Sequence, residues 1–207
     1  MSNLVLPSRV VIRVLSWTGT IHHSCSLMAL VVLLRGVNVG GHRRFRPSRL
    51  AHTLRRFEVV NIGAAGTFVV RRPGTRREFR VALSRALPLA TDIVLFDGAE
   101  LRRLEHIRPF GLEPVTHDVV RFVSFLSRRS RSHPSLPIQL PEGDEWLVRV
   151  VARTDRFVFG ECRRHMRTIS HLGRLDKLFG VAVTTRNSNT VEAIVRVLGE
   201  GHRGDAP

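Results

Sequence analysis

The chain has 207 residues, 43% of them hydrophobic, enough apolar material for one domain or two small ones. Its 33 Lys and Arg stand against 17 Asp and Glu, a formal net charge of +16 that favours anionic partners. No run of eighteen apolar residues escapes a charge, since Arg13 and Arg35 interrupt the two best candidates, and two cysteines make no disulfide framework; a membrane span and a disulfide scaffold are both excluded.

Residues 1–27 carry an apolar patch from Val10 to Leu15, broken by Arg13, then the polar cluster His22-His23-Ser24-Cys25. They lack the uninterrupted apolar region and small-residue cleavage site of a secretory signal. The expectation is an N-terminal extension ahead of a natural start at Met28, and a reducing cytoplasmic location. From Leu30 to Leu34 the chain reads as a buried strand, ended by Gly36, Gly40 and Gly41. Pro47-Ser48 opens a helix that places Leu50, Leu54 and Phe57 on one face. Val59 to Ile62 and Thr67 to Val70 read as a hairpin about the turn Gly63 to Gly66. Gly74 and Thr75 begin a second helix through Phe79, Leu83 and Leu87, and Ile93 to Phe96 supplies a fourth strand.

That order, β-α-β-β-α-β, predicts a ferredoxin-like antiparallel sheet with both helices on one face. After an Arg-rich connector ending near Pro109 and Pro114, the pattern restarts. Val119 to Leu126 alternates as a long strand, Arg128 to Pro137 reads as a loop or irregular helix, and Trp146 to Val151 with Phe157 to Phe159 reads as a hairpin. Leu172 to Phe179 is predicted helical, Val181 to Thr185 a short strand, and Thr190 to Leu198 a closing helix. The expected organisation is α+β: an extension (1–27), two tandem ferredoxin-like subdomains with antiparallel sheets (28–108 and 109–200), and a polar tail (201–207).

Two motifs follow apolar runs: Leu33-Leu34-Arg35-Gly36-Val37-Asn38-Val39-Gly40-Gly41 and Thr184-Thr185-Arg186-Asn187-Ser188-Asn189-Thr190-Val191. With the sequence between them they resemble the bacterial family catalogued as domain of unknown function 1697, whose members begin with an LLRGINVGG stretch and close with a TTRNWNTV stretch. The resemblance covers roughly residues 28 to 200, implies the same tandem architecture, and implies no activity. This chain departs from the family at its TYIQSGNVVF-like stretch, where Ile62, Ala64, Ala65 and Thr67 replace Tyr, Gln, Ser and Asn, and at Ser188, which replaces Trp. A conserved activity at those positions would be lost or altered here.

The first candidate site is the loop after the first strand. Arg35, Asn38, Gly40 and Gly41, with His42, Arg43, Arg44 and Arg46, suit a phosphate or carboxylate cradle. The plainer reading, a tight strand exit capped by Asn38, outweighs it. The second is Thr185, Arg186 and Asn187, with hydroxyl and guanidinium donors at a strand-to-helix junction; here Ser188 or Asn189 as a simple helix cap is the plainer reading. Packing of the two halves could bring Arg35 and Arg186 to one cleft. A third surface, Arg71, Arg72, Arg76 and Arg77, suits a nucleic-acid backbone or is a solvated face.

Arginine supplies nearly all the positive charge, with Lys177 the only lysine and no tyrosine, as GC-rich codons impose; the shortage of acids is not explained that way. No cofactor or metal signature is legible: neither GxxxxGK[ST] nor GxGxxG occurs, and Cys162 with His165 and His171 lacks a second convincing pair. No catalytic constellation is visible either. The leading expectation is a binding protein for a small anion or a macromolecule, with a non-specific nucleic-acid binder second. A phosphate-ester hydrolase using Arg35, by distant likeness to the acylphosphatase cradle, is third.

Overall fold

The computed structural model describes residues 29–37, 45–88, 90–107, 109–110 and 115–200. Among these, one sheet has four strands and another has five. They belong to two compact units: residues 29–107 together with 189–200, and residues 109–188. The expected N-terminal extension and polar tail lie outside the described residues.

The first unit starts with β1 (Leu30–Leu34), buried along its whole length. α1 (Pro47–Thr53) follows, with Pro at its first turn where a missing N–H costs nothing, and a single 3-10 turn at Arg55–Phe57 extends it. β2 (Val59–Asn61) and β3 (Thr67–Val70) form the hairpin. Its turn residue Gly66 has φ +70, and a Cβ there would stand 2.6 Å from Val37 Cγ2 and 2.9 Å from Leu34 Cβ, so both backbone and space demand glycine. α2 (Arg76–Ala86) is capped by Thr75, whose hydroxyl accepts the Glu78 N–H at 3.1 Å. β4 (Ile93–Asp97) completes the antiparallel order β2-β3-β1-β4.

Alternation along the strands sends Leu30, Val32 and Leu34 to one face with Phe68, Val70 and Leu95. There they meet Leu50, Leu54 and Phe57 on the α1 side and Phe79 and Leu83 from α2. Phe57 and Phe79 pack edge to face at 5.2 Å.

Helix α3 (Gly98–Arg102) and a 3-10 turn (Arg103–His106) fill the start of what reads in sequence as a connector. They are short, and only Gly98, Leu101 and Leu104 are buried, too few apolar side chains to announce a period.

The second unit contains β5 (Val119–Leu126), β6 (Ile138–Leu140), β7 (Val148–Arg153), β8 (Phe157–Arg163) and β9 (Val183–Asn187), ordered β6-β7-β8-β5-β9. In each sheet the opening strand lies between the closing strand and the second strand of the hairpin. Phe122, Leu126, Val148, Val150 and Val158 form a core with Leu175 and Phe179. The expected helix over Leu172 to Phe179 is two short helices, α4 (Thr168–Gly173) and α5 (Leu175–Phe179), parted at Arg174. The segment between β5 and β6 is irregular, and Arg131 N–H donates to Phe179 O at 3.1 Å.

The largest departure from expectation is α6 (Ser188–Glu200). From Asn189 onward it belongs to the first unit and not to a second subdomain ending at residue 200. Val191, Ile194 and Leu198 recur at helical spacing and are buried, and a Cβ on Gly98 would stand 2.8 Å from Leu198 Cδ2. Arg71 and Glu200 close an ion pair at 3.1 Å within the same unit.

Candidate functional site

Arg35 leaves β1 and is held by the segment before β4. Its N–H donates to Asp92 O at 3.0 Å, its carbonyl accepts the Thr91 hydroxyl at 2.5 Å, and its guanidinium pairs with Asp92 at 3.2 Å. Asn38, Gly40 and Gly41 lie outside the described residues. The Thr184 to Asn187 motif forms the end of β9 and abuts α6, so it lies at the expected strand-to-helix junction, with Ser188 and Asn189 as the first residues of α6 itself. Thr185 and Ser124 hydroxyls meet at 2.7 Å. Arg186, opposite Val123, is 9% exposed and donates to Thr185 O at 2.8 Å; burial pushes its guanidinium down to about 10. Asn187 is exposed at the strand end. Arg35 and Arg186 belong to different units.

The arginines considered for nucleic acid have partners of their own. Arg71 pairs with Glu200 at 3.1 Å, Arg72 with Glu58 at 3.0 Å, and Arg76 with Asp97 at 2.9 Å while also donating to Leu95 O. Arg77 is exposed.

A different group is brought together at the end of β8. Arg163 ends the strand, Arg164, His165 and Arg167 lie in the segment between it and α4, and His171 comes from α4. Asp118, Pro141, Glu145 and Leu147 line the other parts of the same cleft, whose volume is about 470 Å³. Its frame is backbone. Arg164 N–H donates to Asp118 O at 2.7 Å, Arg163 N–H to Leu147 O at 2.9 Å, and the Thr168 hydroxyl to Arg163 O at 2.7 Å.

The electrostatics of this cleft are uneven. Five basic side chains face two carboxylates, Asp118 and Glu145. The Arg163 guanidinium lies 4.9 Å from the centre of the Trp146 ring, and Arg149 lies over that ring at 4.6 Å. Glu161, 8% exposed, holds Arg149 at 2.6 Å and Arg121 at 3.5 Å. Arg163 Nε and His171 Nδ1 are buried and have no hydrogen-bond partner among the described residues. The Thr116 hydroxyl donates to Asp118 at 2.6 Å and, as the main cause, holds that carboxyl below its ordinary value. Nearby Cys162 is shifted the other way, its thiol raised by burial. Among the described residues no group of three His, Cys, Asp or Glu side chains is placed to hold a metal ion, and no helix is long and apolar enough to cross a membrane.

The basic run Arg163-Arg164-His165-Met166-Arg167 is legible in the sequence, yet nothing local marks it as a site. Asp118 and Glu145 reach the cleft from other segments, so only strand pairing between β5 and β8 and the turn after β6 bring them near.

Fold and cleft together define an α+β protein of two antiparallel-sheet units, one bearing a basic cleft. The family model described as protein of unknown function (DUF1697) matches residues 28–146, and the chain belongs to that family. The match covers the described strands of the first sheet and enters the second; residues 163–171 of the cleft lie beyond it. Among solved structures the chain is similar to the conserved bacterial protein SP0830 from Streptococcus pneumoniae, with 14% identity, a TM-score of 0.55, and coverage of 83% of this chain and 98% of that one. That likeness is one of fold. No curated protein matches this chain.

Proposed function

We propose that this protein is a cytoplasmic binding protein for a small anion, acting without catalysis, and that the cleft at the end of β8 is where the anion sits. The carrying observation is the gathering of Arg163, Arg164, Arg167, His165 and His171 around one cavity of about 470 Å³. A volume of that size falls within the range of small-ligand pockets, roughly 300–1,000 Å³. Arginine suits the task because its planar fork gives a carboxylate or phosphate two parallel hydrogen bonds. Stacking on Trp146 fixes the Arg163 plane beforehand, which lowers the entropy lost on binding. The two strand orders, β4-β1-β3-β2 and β9-β5-β8-β7, support reading both sheets as ferredoxin-like units, the second without its first helix.

The nucleic-acid reading ranks second, because Arg71, Arg72 and Arg76 already neutralise carboxylates. A hydrolase centred on Arg35 ranks third, since Asp92 engages that guanidinium.

The test is calorimetric titration of the full chain with inorganic phosphate at low salt, alongside the double variant Arg164→Ala, Arg167→Ala. Both side chains are exposed and bear little packing. Each charge-assisted contact contributes on the order of 1 kcal/mol or more, so the double variant should bind at least about tenfold more weakly. Equal affinity in both proteins, or no binding at millimolar phosphate, sinks the proposal.

A further inference from the structure

Opposite charges line this cleft without meeting. Arg164 and Asp118 are backbone neighbours, joined by a hydrogen bond of 2.7 Å, yet their side chains form no ion pair. Among the described residues neither Asp118 nor Glu145 pairs with Arg163, Arg164 or Arg167. Elsewhere Arg35, Arg71, Arg72, Arg76, Arg129 and Arg149 each have a carboxylate at 3.6 Å or less. The cleft thus brings positive and negative side chains to one cavity without ion-pair contact between them.

Resting on the anion-binding reading, we infer that the ligand is bipolar: a phosphate or carboxylate held by Arg163, Arg164 and Arg167, joined through a short chain to an ammonium group held by Asp118 and Glu145. A simple anion entering the cleft gains attraction from the arginines and meets repulsion from the two carboxylates. A ligand with a charge of each sign turns that repulsion into a second attraction. Groups of both signs that make no ion-pair contact with each other also orient such a ligand, because only one direction satisfies both ends. The volume of about 470 Å³ leaves room for the linking chain beyond the anion itself. Asp118 suits the ammonium end because its hydrogen bond from Thr116 favours the ionised carboxylate.

The experiment is calorimetry on the full chain with two matched pairs of probes, phosphoethanolamine against ethyl phosphate and β-alanine against propionate. Within a pair the anion is the same and only the ammonium differs. The expected result is at least tenfold tighter binding of the ammonium-bearing member of one pair, with the preferred pair identifying the anion. In the double variant Asp118→Asn, Glu145→Gln, the ratio within that pair should fall to about one. Equal affinities within both pairs overturn the bipolar ligand and leave the anion-binding reading standing. A ratio that survives in the double variant overturns the role of Asp118 and Glu145. Failure of all four probes to bind overturns both readings together.

Discussion

Gly160 of β8 sits opposite Phe122 of β5, and the phenyl ring occupies the space a side chain at 160 would need. A Cβ there would overlap Phe122 Cζ and stand 2.5 Å from Arg149 O. Phe122 is 1% exposed and belongs to the core of the second unit, so the glycine is what lets the ring lie across the central strands. Gly160→Ala should therefore destabilise the protein by about 1–3 kcal/mol through overpacking. Gly173→Ala, at a helical position with open space around it, should be neutral or stabilising by up to about 1 kcal/mol. Denaturant unfolding of both variants checks the pair, and equal effects would remove the account.

Ile194 tests where α6 belongs. It is fully buried, and removing its branched side chain should cost about 2–5 kcal/mol. Hydrogen exchange on Ile194→Ala should show greater loss of protection in β1 and β4 than in β5 and β8, because α6 is part of the first unit. The reverse distribution would assign the helix to the second.

Glu161 is the hinge of the arginine cluster beside the cleft. With Arg149 at 2.6 Å and Arg121 at 3.5 Å, Glu161→Gln removes the charge from two contacts while keeping the shape. The arginine side chains are 37% and 26% exposed, so solvent softens the loss, and about 1 kcal/mol of stability is expected to go. A variant as stable as the parent in chemical denaturation would mean that these contacts are merely superficial.

Asp118 makes one contribution to the pH dependence. Its carboxyl is lowered from the ordinary 3.8, first by the Thr116 hydroxyl. A lowered carboxyl contributes stability above the unfolded value that is lost as pH falls through the folded one. Carbon-detected titration should find Asp118 protonating below pH 3.8, and Thr116→Val should move that midpoint upward. An unmoved midpoint would show that the hydroxyl is not the cause.

The first unit was the more legible half because its signals are local. Helical spacing alone directs Leu50, Leu54 and Phe57 to one core, although α1 ends at Thr53 and a 3-10 turn carries Phe57, and Thr75 with Glu78 marks a helix start within four residues. The β2–β3 hairpin announces itself by Gly63 and Gly66. The second unit was harder to read: α4 and α5 are too short for a full period, and β6 is three residues between irregular segments.

The candidate site was less legible than the fold. Arg35 and Arg186 look alike in sequence, each an arginine after an apolar run. The structure gives one an exposed carboxylate partner and buries the other to 9%.

By itself the sequence determined the family, through the motifs at Leu33 to Gly41 and Thr184 to Val191, and the α+β class with most strands and helices, because periodicity of two or 3.6 is written in neighbouring residues. Tertiary structure decided which arginines are neutralised, which unit claims α6, and which charges share a cleft without meeting. Those outcomes depend on distances between residues far apart in the chain, such as Asp118 and Arg164, and only strand pairing and packing set such distances.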